Sequence, residues 1–381
     1  MIQTGTIAAV AVACARFGGV LWSGLGSRIL LGHGSFGISG ERLGAIAVIG
    51  LLTAVNLRGL FLGKLVQNAF TSAKVVSLLI IVVLGCVIAP NDRALRANFG
   101  SATAFLGSRP LAPGLLAVFG AAMVGGLFSS DAWGSVTFTG SEVRNPRRDL
   151  ARALALGTGV VTILYVLTNV AYLSTLPALS ASGLAQTRTE RILMDGIAGA
   201  AHDRVGSAAM SVVWGEAGAT LTAILVMIST FGCANGLILT GARVIYAMEQ
   251  DGLFPAVAGR LNRAAVPAVA LGVQGVWAAL LTLSGTYSEL LDYVIFAQLL
   301  FYALTVSAVF ILRWQRPDAP RPYRTWGYPI VPLVYILVAL ALMIDLLVMK
   351  PDYTWPGLII AISAIPVYAW IARSRRQIAL S

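Results

Sequence analysis

The run Gly125-Gly126-Leu127-Phe128-Ser129-Ser130-Asp131-Ala132-Trp133 lies at the centre of an apolar stretch, 111–141, whose one charged residue is Asp131. A continuous helix over that stretch would be roughly 46 Å long at 1.5 Å per residue, well beyond a hydrocarbon core about 30 Å thick. Glycine, serine and aspartate are poor helix-interior residues. Two readings follow from this composition. One is a helix broken at its centre, whose freed N–H and C=O groups line a cavity or bind something. The other is a long tilted helix with small residues at a packing seam. Asp131 is expensive in hydrocarbon, roughly 2.5–3.5 kcal/mol at a helix centre. It must face a wet cavity, a partner or the hydrated inner end of the span.

The rest of the chain agrees with a membrane setting. Of 381 residues, 57% are hydrophobic and 11% charged, against about a quarter charged in soluble domains. Mean hydropathy is +0.82. The net charge of +11 does not make a nucleic-acid binder, because the Lys and Arg residues are scattered between long apolar runs rather than gathered on one wetted face. Their natural partner is the anionic surface of the lipid bilayer. Cys14, Cys86 and Cys233 all lie in apolar runs, with no CxxC pair. They read as small buried hydrophobes, and neither a disulfide framework nor a metal site is expected.

Charge-poor stretches long enough to be spans fall at 2–22, 43–57, 65–89, 111–141, 153–177, 217–242, 266–288, 290–312, 327–349 and 355–372, ten in all. None alternates polar and apolar residues as a membrane barrel does, so the expected fold is an all-α polytopic bundle forming one unit over 1–381. Alternate connections differ in basic residues. Those at 58–64, 143–152, 243–263 and 313–324, with the tail, are the richer set, which predicts a cytoplasmic C-terminus in the cell (plasma or inner) membrane. The connection 178–216, on the opposite side, has room for short surface helices.

Other polar residues in the spans have two readings each. Lys74, nine or ten residues into its span, either snorkels to the cytoplasm or sits between helices as a fixed or titratable cation. Asn235, in Phe231-Gly232-Cys233-Ala234-Asn235-Gly236, bonds a ligand or a neighbouring helix. Asp292 and Asp345 lie near span ends, where water is the simplest partner. Tyr165, Tyr172, Trp277, Tyr287, Tyr293, Trp326, Tyr328 and Trp355 read as interfacial belts. An enzyme would need a nucleophile with a base, or clustered metal ligands. The two histidines, His33 and His202, fall in external connections, and HExxH and GxSxG are absent. A channel would need polar repeats or charged rings along a pore. Broken helices, mid-membrane polar residues and small-residue seams suit a transporter, with no cofactor.

Seven segments, in order along the chain, resemble those of amino acid permeases of the amino acid–polyamine–organocation (APC) superfamily, near the L-type amino acid transporter branch. They are Gln3–Val12, Val66–Lys74, Asp131–Trp133, Gly140–Arg148, Phe231–Gly236 running to Arg243, Asp251–Pro255 and Arg321–Pro329. The resemblance implies a twelve-helix fold of two inverted five-helix repeats plus two helices, and secondary active transport of amino acids, expected to be neutral L-amino acids. Transport would be sodium-independent, by proton coupling or exchange. The sixth helix of that fold is unwound where this chain has Phe128 to Trp133. Phe128 matches a gating aromatic, and Ser129, Ser130 and Asp131 match backbone donors and acceptors for the substrate's α-amino and α-carboxylate groups, with Trp133 beside them. Gly134 falls where L-type members often carry a polar side chain. Phe231 and Asn235 match eighth-helix positions near the site. Lys74 matches a lysine that takes the place of a sodium ion in sodium-independent relatives. A partner subunit stays unspecified.

Two departures accompany the match. Ser130 stands where the family usually has Tyr, and Ala132 where it has Gly. The pattern is entered partway along the third helix, so the expectation is a chain without the first two helices, with ten spans of the twelve. The alternatives to transport are a truncated, transport-inactive permease fragment and a membrane-embedded enzyme.

Overall fold

The computed structural model describes residues 2–25, 29–31, 37–101, 115–143, 145–180, 186–200, 204–284, 287–321, 324–352, 354–359, 361–363, 365–366 and 368. His33, His202, Arg144 and the basic tail residues Arg373, Arg375 and Arg376 lie outside them. The described chain is mostly helical. In order come α1 (Ile2–Leu21), α2 (Gly40–Leu57), α3 (Leu60–Val83), α4 (Asp92–Phe99), α5 (Leu115–Ser130), α6 (Pro146–Thr175), α7 (Arg188–Asp195), α8 (Val205–Gln250), α9 (Ala268–Ser284), α10 (Tyr287–Gln315) and α11 (Ile330–Met349). Two short antiparallel strands, β1 (Ile29–Leu31) and β2 (Ile38–Ser39), precede α2.

Seven of the described helices are long and apolar enough to cross a membrane, and Ala268–Leu283 and Thr354–Ser363 are shorter apolar helices. The expected span at 111–141 is described from residue 115 and is divided: α5 stops at Ser130 and a 3-10 helix runs from Asp131 to Glu142. The chain is a multi-pass membrane protein.

Small residues explain why α1 sits at the centre. Thr4, Gly5, Thr6, Ala8, Ala9, Ala11 and Ala15 keep it thin, which lets α2, α8, α9 and α10 all pack against it. Ile7 is fully enclosed with Ile49 and Leu52 of α2, Ile238 of α8, Leu271 of α9 and Phe296 of α10. The outward surface is apolar instead, as lipid requires. On α6, Leu156, Val160, Ile163 and Val166 are exposed, and on α11 so are Ile330, Leu337 and Ile344.

Helix α3 and helix α8 meet along a seam of glycines. A Cβ on Gly232 would overlap Phe70 Cβ, and one on Gly236 would come 3.0 Å from Gln67 Oε1. Phe231 lies in this seam, its ring 5.1 Å from that of Phe70.

A smaller cluster forms beyond one end of the bundle, where Ile81 and Leu84 meet Leu176, Leu193, Ala209 and Met210. The connection 178–216 holds α7, which opens with a capping box between Thr187 and Glu190. It also holds the first turns of α8, which bends at Trp214 and Gly215, the latter at φ 60. Asn98 at the end of α4 ties this region together by donating to Leu173 O and Leu176 O and accepting from Ala178 N.

Two carboxylates differ from the expectation of simple hydration. Asp292 is 5% exposed and paired with Lys350, whose Nζ lies 2.7 and 2.9 Å from its two oxygens. The α10–α11 packing brings the ends of these helices together, so an ammonium replaces water as the partner. Asp345 points its Oδ2 into the contact with Gly120 of α5, buried and with no hydrogen-bond partner among the described residues.

Candidate functional site

The change of helix type at Asp131 is the origin of the site. Winding does not stop there, as a fully unwound break would require. Hydrogen bonds close after three residues instead of four, over a run of 12 residues, far longer than the usual three or four. The local sequence supplies reasons. Ser129 Oγ donates to Gly126 O at 2.9 Å, and Ser130 Oγ to Gly126 O at 2.9 Å and Leu127 O at 3.2 Å. Hydroxyls of this kind compete for helix carbonyls and weaken regular α winding. Neighbouring helices supply donors for two carbonyls at the change. Tyr165 Oη of α6 donates to Ser129 O at 3.0 Å. Tyr302 Oη of α10 lies 3.1 Å from Asp131 O and 3.0 Å from Asp131 Oδ1.

Beside this segment is a cavity of about 550 Å³, within the usual range for small-molecule sites. Phe128, Ser129, Ser130, Asp131 and Trp133 form one wall. Thr6, Val10 and Ala13 of α1 form another, with Lys74 of α3 and Ser229, Thr230 and Cys233 of α8. Gly157, Thr158, Thr162 and Tyr165 of α6 complete it. Ser129 and Ser130 are exposed and Phe128 half-buried. Lys74 and Cys233 line the same cavity, so the face of α3 that carries Lys74 is turned toward it.

Of the residues singled out in the sequence, the fold brings Lys74 together with Phe128, Ser129, Ser130, Asp131 and Trp133. Gly134, Phe231 and Asn235 stand apart from the cavity lining. A Cβ on Gly134 would lie 3.0 Å from Tyr302 Oη, so its smallness serves the contact with α10. Asn235 is wholly buried and donates to Gly63 O at 3.2 Å while accepting from Asn56 Nδ2 at 2.9 Å. Its amide is used between helices, the second of its two readings.

Tyr165, expected in an interfacial belt, lines the cavity instead. Its position midway along 153–177 is the signal against a belt, and Tyr302 shares it within 290–312. Nothing in a sequence says which face of α6 or α10 meets the 3-10 segment. Among the described residues, no group of His, Cys, Asp and Glu could hold a metal ion.

The model of the amino acid permease family matches residues 6–371. The chain is 31% identical over 309 residues to the b(0,+)-type amino acid transporter 1 of Rattus norvegicus, covering 80% of this chain and 57% of that protein. It is 31% identical over 315 residues to the human protein of the same name, covering 82% and 58%. To the large neutral amino acids transporter small subunit 2 of Mus musculus it is 28% identical over 337 residues, covering 87% and 57%. The chain thus spans under three fifths of the length of these relatives. With a family match running through every element that lines the cavity, the chain belongs to the amino acid permease family.

Proposed function

We propose that this protein carries amino acids across the cytoplasmic membrane by secondary active transport, and that the cavity beside the 3-10 segment is its substrate site. The observation that carries this reading is the placement of Phe128–Trp133, at a change of helix type, against a cavity shared with Thr6 and Lys74. A zwitterion needs donors for its carboxylate and acceptors for its ammonium. Here Asp131 and the Ser129 and Ser130 hydroxyl oxygens offer acceptors for the ammonium and Lys74 a cation for the carboxylate, and Phe128 closes over the bound molecule. The names of the relatives, transporters of amino acids and of large neutral amino acids, support the same substrate class.

Several finer points belong to the proposal. The substrate is a neutral L-amino acid. Transport is sodium-independent, by exchange or proton symport, with Lys74 in the role a sodium ion would otherwise play. Residues 1–381 form one permease domain with the inverted-repeat plan, and the C-terminus is cytoplasmic. The test is uptake of radiolabelled leucine by purified protein in sodium-free liposomes, with and without leucine loaded inside. Saturable uptake competed by other neutral amino acids is the expected result. Uptake no faster than in protein-free liposomes would overturn the reading.

A further inference from the structure

We infer that Tyr302 is a positioning residue that holds the 3-10 segment in register with α10 and so sets the shape of the proposed substrate site. The inference rests on the reading of that cavity as the site, but the contacts themselves do not. One side chain engages a four-residue stretch in three ways. Its hydroxyl is within hydrogen-bond distance of both the backbone oxygen and the carboxylate of Asp131, at 3.1 and 3.0 Å. Its ring lies 4.9 Å from that of Trp133, tilted by 35°. Its Oη fills the place beside Gly134 where a Cβ would come within 3.0 Å. Asp131 and Trp133 line the cavity, whereas Tyr302 does not. The tyrosine therefore acts on the cavity only through them. A segment of 3-10 helix this long is poorly held by its own hydrogen bonds, so an outside clamp has leverage over it.

Tyr302→Phe keeps the ring on Trp133 and removes only the hydroxyl. Loss of a hydrogen bond to a charged group is expected to raise the KM for leucine about tenfold, with a modest fall of the melting temperature in detergent. Amide hydrogen exchange should quicken within 131–142 and stay unchanged in α1 and α8. Gly134→Ala should give the same pattern, because its methyl group displaces the hydroxyl. In the double variant the methyl group has no hydroxyl to displace, so the two effects should not multiply. An unchanged KM and unchanged exchange in Tyr302→Phe would overturn the inference, as would effects that multiply. Quickened exchange in a protein that shows no uptake would sustain the clamp and sink the transport reading. If Tyr302→Phe does not fold, Gly134→Ala carries the same exchange test.

Discussion

Asn56 Nδ2 donates to Asn235 Oδ1 at 2.9 Å, between two residues that are 1% and 0% exposed. The same Asn56 nitrogen donates to Leu52 O, and Asn235 Nδ2 reaches Gly63 O and Gln67 Oε1. This network joins α2, α3 and α8 behind the wall of the cavity. Polar side chains that bond across helices hold them together in hydrocarbon, each modestly, because the separated helices find partners too.

Asn235→Ala should therefore lower stability by about 1 kcal/mol, the usual scale of such interhelical bonds. Its melting temperature should fall while the KM of the variant for leucine stays near that of the parent. A raised KM with an unchanged melting temperature would instead return Asn235 to the substrate site.

The glycines of the bundle divide into two kinds. Gly232→Ala places a methyl group on Phe70 Cβ and should destabilise the α3–α8 contact by about 1–3 kcal/mol. At Gly126 a Cβ meets nothing within 4 Å, so Gly126→Ala should be neutral or stabilising, as alanine is the better helix former. Thermal unfolding of the two variants side by side measures the contrast.

Lys350→Met leaves the Asp292 carboxylate enclosed without its cation. Breaking a buried pair commonly costs about 3–5 kcal/mol, and less is expected here because Lys350 is 33% exposed. The double variant Asp292→Asn with Lys350→Met removes both charges and should recover most of the loss. Equal melting temperatures for the single and double variants would show that the pair carries no such coupling.

Removal of the Lys74 amine should abolish leucine uptake or its pH dependence in sodium-free liposomes. Lys74→Ala keeps the helix, since alanine is the best helix former, so loss of protein from the membrane is not the expected outcome. An unchanged rate and pH profile would assign the amine to snorkelling.

Orientation can be read from labelling in intact cells. Arg148→Cys and Arg321→Cys should resist a membrane-impermeant thiol reagent, and Arg191→Cys should react. Labelling at 148 or 321 would reverse the assigned topology.

Composition and apolar run length alone determined that this is a helical membrane protein, because 11% charge cannot wet a soluble surface and hydrocarbon admits only closed hydrogen-bonding. The stretch around Asp131 could also be singled out in one dimension. Two glycines, two serines and an aspartate marked it out but left both a broken helix and a long tilted one open. What happened was decided by tertiary contacts. Tyr165 and Tyr302 meet Ser129 O and Asp131 O, so the chain tightens into a 3-10 helix instead of unwinding. Asn235 and Lys74 were equally ambiguous in the sequence, each a polar residue within an apolar span. Their fates differ because α8 turns Asn235 toward the amides of α2 and α3, while α3 turns Lys74 toward the cavity. Helix rotation settles such cases. It is set by which small residues let neighbouring backbones approach, and here those residues are Gly232 and Gly236, more than 150 positions away in sequence from Asn56 and Lys74.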